Sequence, residues 1–337
     1  MRPTRSARAR EGPEPLNAVG QPSEQLSPAV RPARTAGRAA FGRRLRRAGW
    51  PRLCVAPFFV LFAVFSLYPI GFSLWLSFRD WSLIGPARWV GTANYHALFH
   101  DTLFWQSMLN SALLFLIYVP LMTLLALVLA VLLNSRYVRL QGLWRTLLFL
   151  PYIMSGTVAA AFTFQLMLDR NAGYANRFLG FFGASPVPWL DTTWWARISL
   201  GLLVLWAWLG YNMLIMLAGL QAIPPELAEA ARVDGAGPVR VFWRITVPLL
   251  RPVIVFSVTL SIIGTFSLFT EPLLLTNGGP ANATTTPVLQ IWQNTFSFLR
   301  VGYSAAMSWI YFAVIVVLAL TQYFLVSRRD RYLEARR

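Results

Sequence analysis

The chain has 337 residues, 56% of them hydrophobic and only 13% charged, with 30 basic side chains against 13 acidic ones and a net charge of +17. A water-soluble protein of this size carries more charge, and the long uncharged stretches here would expose very large apolar patches to water. Composition therefore excludes a soluble globular domain and points to an integral membrane protein.

Residues 1–49, rich in Arg, Pro, Ala and Gly, cannot bury a core and read as a disordered basic tail. Arg43-Arg44 invites comparison with a twin-arginine leader, but the apolar run behind it is a full span, longer than a signal h-region. Cys54, the single cysteine, excludes an internal disulfide and a multi-cysteine metal site. Six apolar runs follow, 53–78, 107–133, 146–168, 198–220, 253–269 and 303–326, none holding an Asp, Glu, Lys, Arg or His. About 20 helical residues cross a bilayer core, and lipid permits only helices or closed barrels. The runs lack the short alternation of barrel strands. The predicted fold class is all-α, a polytopic membrane protein with six transmembrane helices.

The chain has no lysine, so its 30 arginines set the orientation. Twenty-four fall in the N-terminal segment, the loops 134–145 and 221–251, and the tail 327–337; six fall in the loops 79–106, 169–197 and 270–302. That asymmetry places both termini in the cytoplasm. The positive charge is thus topological, with anionic headgroups as a further contact, and no nucleic-acid partner is needed.

The cytoplasmic loop 221–251 is the patterned one. Pro224-Pro225 can start a helix, with Glu226 and Glu229 in the N-terminal turns that favour negative charge. Leu227, Ala230, Ala231 and Asp234 share a face that the alanines leave flat enough for another protein to approach. Asp234-Gly235 stops that helix, Gly237-Pro238 starts a second, and Pro248 and Pro252 steer the chain back toward the membrane. The alternative is a solvated connector.

Within the spans, Trp208, Tyr211 and Asn212 share a face too deep for an interfacial aromatic belt, and Ser257, Ser261 and Thr265 stripe the fifth run beside Gly264. Such faces suit a neutral, hydroxyl-rich solute; helix packing also favours small and hydroxyl residues. With no ionisable group inside the runs, there is no counter-charge for an ionic solute.

No catalytic constellation is visible. Asn277-Gly278-Gly279-Pro280 reads as a turn, with no GxxxxGK[ST] pattern for a nucleotide. His96 and His100 near Asp101 read as interfacial residues, and Asp80, Asp101, Asp169, Asp191 and Glu271 stand singly, so an enzyme acting on lipid-linked sugar is disfavoured. Neither a metal nor a cofactor is expected.

Glu229-Ala230-Ala231, Asp234-Gly235-Ala236, Phe242, Ile245 and Pro248 resemble the EAA loop of ABC importer permeases, with Val247 where that family usually has leucine. The resemblance extends over roughly 50–326 through "WVGTANYHALFHDTLFWQSMLNS" (89–111), "LWRTLLFLPYIMS" (143–155) and "LLLTNGGPANATTT" (273–286), landmarks of carbohydrate permeases of the maltose and glycerol-phosphate type. It implies a first helix and periplasmic loop over 50–106, a transmembrane domain over 107–326 and a cytoplasmic tail over 327–337. It also implies partners: a second, similar permease, a cytoplasmic ATPase dimer and an extracytoplasmic solute-binding protein. Under that likeness Glu229 faces basic groups of the ATPase, Gly235 permits the turn between two coupling helices, and hydrolysis occurs on the partner chain. The implied function is import of a sugar or oligosaccharide across a bacterial inner membrane. A polyol phosphate carried by the same machine, and an ATPase-independent secondary transporter, are the alternatives.

Overall fold

The structure, a computed structural model, describes residues 55–135, 138–155 and 158–334; the expected basic tail 1–49 and Cys54 lie outside the described residues. Two compact units divide after Phe65. In the described part of the first, Phe58 meets Phe59 edge-on at 5.5 Å and stacks on Phe62 at 6.2 Å. The helix that begins there, α1, is Val55–Ser77.

The remaining elements follow in chain order. Strands β1 (Arg79–Asp80) and β2 (Arg88–Trp89) form a small antiparallel ribbon, with Arg79 opposite Trp89. Then come α2 (Ala93–Phe99), α3 (Thr102–Asn134), α4 (Gln141–Ser155), α5 (Val158–Met167) and α6 (Tyr174–Phe181). They are followed by α7 (Thr193–Gln221), α8 (Pro225–Val233), α9 (Pro238–Phe266), α10 (Thr270–Thr276), α11 (Pro287–Trp292) and α12 (Val301–Glu334). The helical class holds, with the two-residue ribbon as its exception among the described residues.

Five of these helices, α1, α3, α7, α9 and the Val301–Phe324 part of α12, are long and apolar enough to cross a membrane. The expected run 146–168 is not one straight helix. It is the pair α4 and α5, bent by 98° across positions 156–157, and a sixth crossing exists only if the pair counts as one. Counting apolar residues registers length and cannot register a bend.

The fifth run also differs. Instead of a separate surface helix followed by a span at 253–269, α9 runs unbroken from Pro238 to Phe266. A π turn at Phe242–Thr246 explains how. Pro248 cannot donate to the carbonyl four residues back, Arg244, and its ring needs room there; Arg244 lies inside the widened turn.

Because lipid is as apolar as a leucine side chain, burial between helices adds little hydrophobic gain, and close packing holds the bundle instead. Among the described residues the core gathers in three clusters. Leu114, Val119 and Met122 of α3 pack with Leu200, Leu203 and Val204 of α7. Ala126, Leu127 and Ala130 meet Met213, Met216 and Leu217 of the same helix, with Leu250 of α9. Leu98, Phe104 and Met108 pack with Ile262, Phe266 and Met307. Asp101 fixes the start of α3: its Oδ1 accepts from the N–H groups of Leu103 (2.9 Å) and Phe104 (3.1 Å), and its Oδ2 from the Tyr303 hydroxyl (2.6 Å).

Candidate functional site

The two polar faces expected to meet a solute come together. Asn212 on α7 is buried; its amide donates to the Trp208 carbonyl at 3.1 Å, and its Oδ1 accepts from Ser257 Oγ of α9 at 2.5 Å. Ser261 donates back to the Ser257 carbonyl (2.9 Å) and Thr265 to the Ser261 carbonyl (2.6 Å), the usual way a helical hydroxyl satisfies itself in an apolar setting. Thr265 also shares a 2.5 Å hydrogen bond with the Tyr118 hydroxyl of α3.

A cavity lies beside them, lined by Tyr118, Met122, Trp208, Tyr211, Asn212, Leu260, Ser261, Gly264 and Leu268. Its volume, about 20 Å³, accommodates roughly one water. Ser257 and Thr265 share the stripe but are not among its lining residues; their hydroxyls are spent on Asn212 and Tyr118. Two aromatic residues that sequence reasoning missed complete the group. Tyr118 is one, and Tyr152 of α4 stacks on Tyr211 at 4.7 Å and meets Trp208 edge-on at 5.3 Å. Their signal was a lone tyrosine in each of two apolar runs. The Trp208 indole N–H is buried without a hydrogen-bond partner, a donor left available beside the cavity.

The patterned loop forms a helical hairpin. After α8 the chain reverses with Gly235 at φ +81°, and the N–H of Ala236 reaches back to the Ala231 carbonyl at 2.9 Å. α8 buries none of its residues: Leu227, Glu229, Ala230, Val233 and Asp234 are exposed, and Ala231 and Ala236 are half-buried. Phe242 and Ile245 are half-buried, Phe242 packing against the Leu217–Leu250 cluster, while Pro248 is exposed. The hairpin thus carries an open apolar face at its tip and is tied to the bundle at its base.

At the other end of the helices, Asn110 of α3 and Arg197 of α7 clasp the loop after α10. Asn110, fully buried, donates to the carbonyls of Asn282 (2.7 Å) and Thr285 (3.0 Å), and Arg197 donates to Asn110 Oδ1 (3.0 Å) and the Ala283 carbonyl (3.1 Å). Asn110→Leu should destabilise the purified chain by roughly 2–4 kcal/mol, because a guanidinium and two carbonyls each lose a hydrogen bond together. A thermal melt in detergent measures it, and an unchanged midpoint would show that the clasp holds nothing.

The outer acids are less scattered than the sequence suggests. Asp169 and Asp191 border one hollow with Gln165, Thr276 and Asn277, and Asp191 lies 3.9 Å from Arg170. Burial pushes the Glu271 carboxyl above its ordinary range. A carboxyl raised in the folded state adds stability while protonated and loses it as pH rises through that value. Glu271→Gln should therefore melt at a higher temperature than the native chain at pH 8, with the gap closing in acid; equal midpoints at both pH values would refute this. The His96 and His100 rings lie 4.7 Å apart with their planes tilted by 35°, and among the described residues no group of three or more His, Cys, Asp or Glu is disposed to hold a metal.

Long apolar helices and buried polar groups bonded from helix to helix mark a multi-pass membrane protein. The profile of the family described as binding-protein-dependent transport system inner membrane component matches residues 104–331, and the chain belongs to that family. It is 38% identical over 303 residues to the lactose transport system permease protein of Rhizobium radiobacter, covering 88% of this chain and 99% of the relative. It is 37% identical over 278 residues to the arabinooligosaccharides transport system permease protein of Bacillus subtilis, covering 80% and 86%. To the sn-glycerol-3-phosphate transport system permease protein of Salmonella typhimurium it is 33% identical over 300 residues, covering 86% and 98%. A crystal structure of a bacterial ABC transporter that imports the acidic polysaccharide alginate contains a chain with the same fold, at TM-score 0.73 and 21% identity, covering 86% of this chain and 99% of that one.

Proposed function

We propose that this chain is the permease subunit of an ATP-driven, binding-protein-dependent importer, and that its solute is a sugar or oligosaccharide. The observation that carries the solute class is the cluster of Tyr118, Tyr152, Trp208, Tyr211, Asn212 and Ser261, aromatic faces and neutral hydrogen-bonding groups with no Asp, Glu, Lys, Arg or His in the apolar runs around it. Sugars offer C–H faces to rings and hydroxyls to amides, and this set matches both. The relatives named for lactose and arabinooligosaccharide transport support the same class, and the one named for sn-glycerol-3-phosphate supports the alternative of a polyol phosphate.

The remainder of the machine is proposed with it. A second, similar permease forms the other half of the path, an ATPase dimer binds the hairpin of α8 and α9, a solute-binding protein serves the opposite face, and both termini lie in the cytoplasm. A chain of the same fold in a bacterial alginate ABC transporter, crystallised in complex with an alginate pentasaccharide-bound periplasmic protein, supports the solute-binding partner. ATP is hydrolysed on the partner chain.

The test is ATP-dependent uptake in vesicles holding the chain with its partner permease, ATPase and binding protein. Labelled oligosaccharide should accumulate and labelled glycerol phosphate should not. Uptake of the phosphate alone would replace the solute class, and uptake without the ATPase would replace the importer by a secondary transporter. In the same vesicles Tyr211→Ala should weaken solute affinity roughly two- to twelvefold, the worth of one ring contact at about 0.5–1.5 kcal/mol. Thr265→Val should act on stability instead, since it strands the Tyr118 hydroxyl at a cost of about 1–3 kcal/mol. A Tyr211→Ala chain that loses only assembly would assign its ring to packing.

A further inference from the structure

The segment between α5 and α7 folds so that α6 turns its polar side inward and its aromatic side out. Just past α5, Asp169 Oδ1 accepts from the N–H groups of Asn171 (3.0 Å) and Ala172 (2.7 Å). Gly173 follows in a turn so close that a Cβ there would sit 2.3 Å from the Asp169 carbonyl oxygen. On α6 itself, Asn176 is buried and fully engaged. Its amide donates to the carbonyls of Arg170 and Val187, both at 3.0 Å, and its Oδ1 accepts from the Val187 N–H at 3.0 Å and the Trp189 indole at 2.9 Å. Two donors and two acceptor positions are all an asparagine has, so the rotation of α6 about its axis is pinned.

The face opposite consists of Tyr174, Phe178, Phe181 and Phe182, spaced i, i+4, i+7 and i+8, which one helical face presents together. They are 68%, 62%, 86% and 75% exposed. Exposed single aromatics are ordinary; four on one face, held outward by a buried asparagine, call for a cover.

We propose that this face is embedded in the membrane–water interface beside the ends of α5 and α7, making α6 an interfacial lipid anchor. Three observations favour lipid as the occupant. Residues 168–173 alone separate α6 from the end of α5, and α7 begins soon after with Trp194 exposed and Trp195 next to it, the residue type that marks membrane interfaces. Arg177 flanks the face with its guanidinium 5.7 Å from the Tyr174 ring, placed to reach headgroup phosphates while the rings go deeper. Apart from the Tyr174 hydroxyl the face offers no hydrogen-bonding atom, and a lipid interior requires none. The proposal rests on membership of the membrane family and is independent of which solute is carried.

The experiment uses the full chain in lipid nanodiscs, with Cys54→Ser removing the only cysteine and F181C carrying an environment-sensitive nitrobenzoxadiazole label. The expected result is emission shifted to the blue, protected from iodide, and quenched more by lipids with a nitroxide near the top of the acyl chain than by lipids with one near its end. F182C reports from the same face and supplies the reading should the first variant fail to accumulate. Water-like emission open to iodide overturns the proposal. So does a blue shift that develops only when the solute-binding protein is added, since the cover is then protein.

Discussion

Substituting Gly210 by valine should leave almost none of the chain folded in the membrane. A Cβ on Gly210 would lie 1.9 Å from the Leu148 carbonyl oxygen, 2.5 Å from its carbon and 2.8 Å from the Phe149 Cα. These are backbone atoms of α4, so no side chain can step aside and the two helices must separate. Overpacking a core costs about 1–3 kcal/mol even where neighbours are able to shift, and a forced helix displacement belongs at or above the top of that range. Separation also takes Tyr152 off Tyr211 and Trp208, the ring contacts that line up the proposed path. Gly264→Ala is the control, since nothing lies within 4 Å of its Cβ position. The amount of full-length chain in the membrane and its melting midpoint in detergent decide the matter. A Gly210→Val chain that accumulates and melts like the native one would show that α4 and α7 do not meet this closely.

The second large effect is expected at the hairpin. Glu229→Ala and Gly235→Val should leave the chain inserted and the binding protein able to dock, while the ATPase no longer co-purifies or its hydrolysis no longer drives uptake. The two act by different physics. Glu229 is exposed and supplies a charge-assisted hydrogen bond to the proposed partner, a contact that matters most when desolvated in the complex. Gly235 has φ +81° and nothing within 4 Å of its Cβ position, so the penalty for valine is conformational, about 1–2 kcal/mol for forcing a branched residue into the left-handed region. The hairpin should then open and misplace its tip. Co-purification of the ATPase and solute-stimulated hydrolysis in vesicles give the two readings. Native values for both variants in both assays would reduce the segment to a connector.

Much of the helix inventory was legible from the lengths of uncharged runs, because a bilayer imposes one length on every crossing. The junctions were not. Pro248 and Pro252 read as a break, yet the π turn at Phe242–Thr246 absorbs the first of them and α9 continues. The stripe of Ser257, Ser261 and Thr265 was visible as a face, but periodicity does not say which neighbour a face meets, and two of its three hydroxyls turn to Asn212 and Tyr118. Tyr118 and Tyr152 lie 90 and 56 residues before Trp208, so only the packing of α3 and α4 on α7 shows them to be neighbours. Asp169 and Asp191 border one hollow because the chain turns back through α6, a reversal that rests on Asp169 and Asn176 and leaves no periodic trace.

The continuity of α9 makes it a lever. Its first turn carries the hairpin and its last two turns carry Ser261 at the cavity, with no loop between them to dissipate a push. At about 1.5 Å per residue the arm from Pro238 to Ser261 is roughly 35 Å long, so a tilt of about 5° at one end moves the other by about 3 Å. That travel is comparable to the width of a water molecule, and so is the cavity. The compliant point on the arm is the π turn, four residues from where the lever would be gripped, so stiffening or loosening Phe242–Thr246 would set how much of a stroke arrives at Ser261.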